Sequence, residues 1–249
     1  MPQAVQTSEY FHLGAVTEFT FSNHIGATFR GGNQLIHLLN WGEDRGWIPS
    51  QYAFVSVDNH EIQRGHGSSN SFILTHTFPK RYIMATAFKL SHTYGKPRIM
   101  SSYNIPNNDA GPPQDENGNI LSPIINEDGS CGTGWVCEHR WQQIANMIGF
   151  RHAVDGTEMH NWWDNGGDQI AYCRGDKGFI ALNNSSWDIN GTFQTCLPEG
   201  TYCDVIVGSL VNGECTGTAI TVAADGTARI FLPSHSPNGV LALHVNVSY

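Results

Sequence analysis

Residues 52–67 read Tyr52-Ala53-Phe54-Val55-Ser56-Val57, then Asp58-Asn59-His60-Glu61-Ile62-Gln63-Arg64-Gly65-His66-Gly67. The first six form a short apolar run of the kind that makes a buried strand. The rest place a polar, ionisable cluster at that strand's C-terminal end. Parallel α/β sheets carry their chemistry at this end of their strands. The stretch therefore predicts a strand delivering His60, Glu61 and His66 to a site.

The flanking sequence continues the alternation. Residues 15–21 read as a strand, 34–40 as a helix and 98–103 as a further strand. Between them, Ile83, Ala87 and Leu90 share one face of a helix over 80–93, flanked by Met84 and Phe88. Trp141, Ile144, Ala145 and Ile148 then recur at i, i+3, i+4 and i+7, which marks an amphipathic helix. Three successive βα units imply a parallel sheet with right-handed crossovers. Residues 104–130, with Gly111-Pro112-Pro113, form a long loop on the side where the site belongs.

From residue 157 the character changes. Short β-like runs at 169–172, 178–183, 202–207, 219–223, 228–232 and 240–247 are separated by turns such as Asp164-Asn165-Gly166-Gly167 and Ala224-Asp225-Gly226. Such spacing indicates an antiparallel sandwich. Two domains are expected, 1–156 and 157–249.

A chain of 249 residues can bury a large core, and 40% hydrophobic against 14% charged residues is a globular composition. A net charge of −9 argues against a nucleic-acid partner, and no apolar run is long enough to span a membrane. The polar start Met1-Pro2-Gln3-Ala4-Val5-Gln6-Thr7 carries no hydrophobic leader. The six cysteines, Cys131, Cys137, Cys173, Cys196, Cys203 and Cys215, contain no CxxC pair and point to disulfides rather than zinc. Sequons at Asn183, Asn184, Asn190 and Asn246 also fit a secreted protein. An oxidising-compartment chain without a leader suggests that an N-terminal part is missing. His60 and His66 are six apart on a strand-end loop, not four apart on a helix, so the metalloprotease zinc pattern does not apply.

Residues 58–67 closely resemble the corresponding segment of animal α-amylases. The similarity extends through Asn40-Trp41-Gly42-Glu43, Tyr94-Gly95 and Arg98-Ile99-Met100-Ser101-Ser102-Tyr103. It continues in Trp135-Val136-Cys137-Glu138-His139-Arg140-Trp141 and Gly200-Thr201-Tyr202-Cys203-Asp204-Val205. The resemblance implies that residues 1–156 are the last three βα units of a (β/α)8 TIM barrel. Residues 157–249 would be the family's C-terminal antiparallel Greek-key β-sandwich.

By the same resemblance, Glu61 occupies the position of the family's transition-state-stabilising Asp, while His60 and His66 contact the sugar. Asn59 and Arg98 match two chloride ligands, a partial site; Arg98 could instead form an ion pair inside the barrel. The nucleophile and general acid would follow earlier barrel strands, as would most calcium ligands, and no metal site is expected in this chain. The bridges Cys131–Cys137 and Cys203–Cys215 match the family's, and Cys173–Cys196 follows by elimination. Trp135, Trp141, Trp162, Trp163 and Trp187 could stack on glucose rings or serve as core. Ile105-Pro106-Asn107 departs from the family's Trp-Pro-Arg, next to the expected cleft.

The resulting expectation is a portion of a secreted α-amylase whose full-length relatives endo-hydrolyse α-1,4-glucans, with an α-glucan or maltooligosaccharide as partner. This chain would be inactive by itself. Such a protein would be monomeric at full length, while residues 1–156 as an open sheet would be unstable and aggregation-prone, and 157–249 independently folded. The alternative is a non-catalytic, amylase-like carbohydrate-binding or structural protein.

Overall fold

Three short parallel strands organise the first half of the chain. In the computed structural model, which describes residues 5–66 and 72–248, β1 (Val16–Thr17), β2 (Ala53–Val55) and β3 (Lys96–Pro97) lie in that order. Each is followed by a helix: α1 (Phe19–Phe29), α2 (Pro79–Ser91) and α3 (Gln142–Ala153). Gly67, the end of the opening segment, and Met1 to Ala4 lie outside the described residues.

The units are those expected, but their limits move for identifiable reasons. The strand expected over 15–21 gives way at Phe19 to α1, because the Glu18 carboxylate accepts the Thr20 N–H (2.9 Å) and caps the helix. Aromatic and β-branched residues disguised that helix as a strand. Phe21, Ile25 and Phe29, all fully buried, were the periodic signal for it. The helix expected over 34–40 is only a 3-10 turn, Leu35–Leu38. Its first N–H groups are taken by Asp168 Oδ1 (3.1 Å) and Gly167 O (2.9 Å) of a distant loop. The strand expected over 98–103 pairs only just before that range, at Lys96 and Pro97. Beyond Arg98, Ser102 N–H donates to Glu138 Oε2 (2.7 Å), and Tyr103 forms an antiparallel bridge with Trp135.

The second half is a sandwich of two four-stranded antiparallel sheets. One has β4 (Met159–Asp164), β5 (Gln169–Arg174), β6 (Gly178–Asn183) and β13 (Val240–His244) in the order β13-β6-β5-β4. The other has β7 (Ile189–Gln194), β8 (Gly200–Cys203), β11 (Ala219–Val222) and β12 (Thr227–Leu232) in the order β7-β12-β11-β8. A hairpin of β9 (Leu210–Val211) and β10 (Glu214–Cys215) projects from it. β4 and β7 are strands the sequence reading did not find. The expected strand 202–207 stops at Cys203, since the Asp204 carboxylate binds the N–H groups of Ile206 (3.0 Å) and Ala242 (3.1 Å) and turns the chain.

Strands β5, β6 and β13 are buried along their whole length, and their alternation explains why. Ala171, Cys173, Phe179, Ala181, Leu241 and Leu243 face the second sheet. Ile170, Tyr172, Ile180, Leu182, Val240 and Ala242 belong to the core built with α1, α2 and α3. The barrel-like and sandwich halves thus share one apolar cluster, and the β-unit does not present a solvated outer face there. The open sheet, by contrast, leaves Leu13 at 73% and Phe19 at 57% exposure.

All three expected disulfides are present, Cys131–Cys137, Cys173–Cys196 and Cys203–Cys215, with Cα separations of 6.0, 6.1 and 5.3 Å. Cys173 lies on β5 and Cys196 just beyond β7, so that bridge ties the two sheets together. Replacing both by Ala is expected to cost about 3 kcal/mol, the chain-entropy value for a loop of 23 residues. Chemical denaturation of the double variant against wild type checks this; a loss below about 1 kcal/mol would show the sheets are held by packing alone.

Candidate functional site

β2 ends at buried Val55, the buried Ser56 and Val57 follow it, and the chain then turns at Asp58. Asn59 Oδ1 accepts the N–H groups of Glu61 (2.9 Å) and Ile62 (2.8 Å), folding the segment into a 3-10 turn, Ile62–Arg64. This lifts His60 and Glu61 out of the strand and into solvent. Glu61 Oε2 lies 2.9 Å from His66 Nδ1, and Oε1 lies 3.4 Å from His60 Nε2. The three residues expected to touch sugar therefore meet at one point. The hydrogen bond from His66, aided by the charges of His60, His66 and Arg64, holds the Glu61 carboxyl below its usual range. Removing the imidazole, as in His66→Ala, is expected to return it upward, by side-chain NMR titration; an unchanged midpoint would mean that His66 does not hold the carboxylate in solution.

The turn is fastened from beneath. Arg64 donates to His60 O (2.6 Å) and Ala110 O (3.0 Å) and also bonds the Tyr103 hydroxyl. Asp58, 2% exposed, accepts from Tyr82 OH (2.9 Å) and Gln63 Nε2 (2.6 Å). Gln63 Nε2 also donates to Ser102 Oγ (2.5 Å), whose hydroxyl bonds the fully buried Glu138. Burial pushes the Asp58 carboxyl up to about 7 against those two hydrogen bonds. It pushes the Lys89 ammonium down to about 8, although Lys89 Nζ donates to Arg98 O. Sequence reasoning quoted Asp58 and Glu138 within motifs but gave them no role, and it missed Tyr82 and Lys89. The available signal was a tyrosine and a lysine seven apart on the inward face of α2.

A cavity of about 480 Å³ opens beside the turn, lined by Phe54, Asp58, Asn59, His60, Glu61 and Arg98 among others. It brings together all the expected site residues except His66, which reaches it through Glu61. Arg98 is exposed and makes no ion pair among the described residues; its guanidinium lies over the Phe54 ring at 5.5 Å. The Asn59 carboxamide oxygen is occupied by the turn, so its Nδ2 remains as a donor. An amide nitrogen and an unpaired guanidinium on one cavity wall fit an anion. Among the described residues no group of three or more His, Cys, Asp or Glu side chains is arranged to hold a metal ion.

The tryptophans divide. Trp141 packs on Tyr82 at 6.0 Å and Trp162 stacks on Tyr172 at 5.6 Å, both against the core. Trp135 donates its indole N–H to Leu121 O (2.9 Å). Trp163 and Trp187 are exposed, but both lie on the sandwich, away from the His60–Glu61 turn.

Comparison with known proteins fits this geometry. Residues 161–246 match the profile of the α-amylase C-terminal all-beta domain. Alpha-amylase-related proteins of Drosophila dossoui and Drosophila punjabiensis are each 52% identical over 244 residues, 98% of this chain and 49% of theirs. The chain thus spans about half the length of the curated relatives it matches. Among solved structures, a mutant α-amylase I of Eisenia fetida in complex with maltohexaose superposes with a TM-score of 0.88 at 39% identity, covering 98% of this chain and 52% of that one. The wild-type enzyme gives 0.87 at 38%. The three βα units accordingly match part of an α-amylase (β/α)8 barrel, the sandwich matches the family's C-terminal all-beta domain, and the chain as a whole is similar to about half of an α-amylase-related protein.

Proposed function

We propose that this segment supplies one wall of an α-glucan cleft, with His60, Glu61 and His66 as its sugar-contacting group. The observation that carries the reading is the Glu61 carboxylate, exposed and bracketed by two imidazoles at the C-terminal end of a parallel strand. Carboxylate and imidazole together supply the acceptors and donors that neighbouring sugar hydroxyls require. In a full-length α-amylase that position grips the distorted sugar during endo-hydrolysis of α-1,4-glucans. Asn59 and Arg98 would hold a chloride beside it, whose negative charge raises the pKa of neighbouring carboxyls. The three disulfides support a secreted, extracellular protein.

A second reading, non-catalytic glucan binding, is favoured by Glu61 itself. Its extra methylene, relative to the family's Asp, moves the carboxylate by about an ångström, a displacement that costs on the order of 100-fold in rate but far less in binding. Both readings are tested by titrating the chain with maltohexaose and following histidine NMR signals. Millimolar binding that shifts His60 and His66, and is lost in His60→Ala, is expected. Saturating sugar with no shift at either imidazole would reject both.

A further inference from the structure

We propose that Asn190 is an N-glycosylation site whose glycan covers Phe231 and shields the open edge of strand β7. Four sequons occur in the sequence, and the fold separates them. Asn183 is fully buried, and its amide nitrogen donates to Trp187 O (3.0 Å) and Leu232 O (2.9 Å), so it has no route to an enzyme once folded. Asn184 is half-buried in the turn after β6. Asn246 is exposed but lies in a three-residue 3-10 turn, where no cross-strand residue faces it.

Asn190 stands differently. Along β7 the side chains alternate: Ile189 is 2% exposed and joins the core between the sheets, while Asn190 and Thr192 both point out. The asparagine and the hydroxyl of Asn190-Gly191-Thr192 thus share one accessible face. Arg229 on β12 donates to Asn190 Oδ1 (2.7 Å). That fixes the carboxamide and leaves Nδ2, the atom to be modified, without a protein partner among the described residues.

A second observation points to what lies on this face. Phe231 sits directly across from Asn190 in the β7–β12 pairing and is 54% exposed. Directly opposed side chains lie about 5 Å apart, so the first sugar on Asn190 would rest its apolar face on this ring. β7 also has no strand on its other side among the described residues, an open edge available for unwanted pairing. A glycan rooted there excludes a second chain.

The chemistry is ordinary for a chain that acquires disulfides during export. The Asn190 amide nitrogen attacks the anomeric carbon of a polyprenyl-diphosphate-linked oligosaccharide. The N–C bond forms, the amide proton is lost, and the C–O bond breaks as the diphosphate leaves with its electron pair.

The test is to secrete the full chain from insect cells behind a leader and measure intact and peptide masses before and after peptide-N-glycosidase. Glycan at Asn190 is expected, lost in both Asn190→Gln and Thr192→Ala. Its presence should raise the unfolding midpoint relative to Thr192→Ala, and that difference should vanish in a Phe231→Ser background. An unmodified Asn190 in molecules whose Cys173–Cys196 bridge has formed, which shows passage through the oxidising compartment, overturns the proposal. An equal glycan effect with and without Phe231 overturns its packing role.

Discussion

Incubated with soluble starch, the 249-residue chain is expected to release reducing ends no faster than buffer, and Glu61→Gln to change nothing. Retaining glycosidases place two carboxyl groups about 5 Å apart across the scissile bond, one as nucleophile and one as acid. Among the described residues, the cavity beside β2 is lined by two carboxyl groups, Asp58 and Glu61. Their pKa values diverge, Asp58 upward to about 7 and Glu61 downward, which is superficially the signature of an acid and a nucleophile. Geometry removes Asp58 from that role. It is 2% exposed, and its two oxygens are spent on Tyr82 and Gln63 beneath the turn, where no glycosidic oxygen can reach. One accessible carboxylate is left. Because acid and nucleophile act as a unit, lacking the pair forfeits roughly 10⁶-fold in rate. Turnover above background that Glu61→Gln or Asp58→Asn abolishes would sink this expectation and show that the two carboxyls do form a working pair.

Much of this was legible in residues 52–67, and the reasons are local. A short apolar run followed by a polar cluster has one reading in a parallel sheet, and the cluster's residues were few enough to name. What escaped depended on partners distant in sequence. Tyr82 and Lys89 look like ordinary members of a helix until Asp58 and Arg98 are placed against them. Residues 15–21 read as a strand by composition, and only the cap at Glu18 and the burial of Phe21, Ile25 and Phe29 show that a helix starts at Phe19. β4 and β7 are edge strands rich in Asn, Trp and Gly, with little of the β-branched content by which strands are recognised. The disulfides were readable because three bridges suffice for six cysteines, and two of those were carried by resemblance.

Arg174→Met is expected to destabilise the chain by about 3–5 kcal/mol, as breaking a buried charged hydrogen-bond network does. The sequence reading treats 1–156 and 157–249 as parts that stand or fall separately. Arg174 argues for coupling between them. It lies on β5, 3% exposed, and its guanidinium donates to Val154 O (3.2 Å), Thr157 O (2.8 Å) and Ser91 O. Ser91 ends α2 and Val154 caps α3, so one cation from the sandwich satisfies the carbonyl ends of both barrel helices. Tyr172 OH, 2.5 Å from Ser91 Oγ, reinforces the contact, and Asn146 on α3 reaches back to Val205 O (2.9 Å) and Gly208 O (2.8 Å). Methionine keeps the apolar stem but takes the guanidinium donor from Ser91 O and Thr157 O, while Val154 O keeps the Thr157 N–H (3.1 Å) and hydroxyl (2.7 Å). In a chain of this size, 3–5 kcal/mol corresponds to a midpoint lowered by roughly 6–20 °C. Lysine, a single point donor, should recover only part of it. Because the same core runs from Phe21 to Ala242, the wild-type melt should be one transition, with both halves lost together. Calorimetry of wild type, Arg174→Met and Arg174→Lys decides the matter. Two separate transitions in wild type, with Arg174→Met shifting neither by more than about 1 kcal/mol, would mean the halves are joined only by the chain between them.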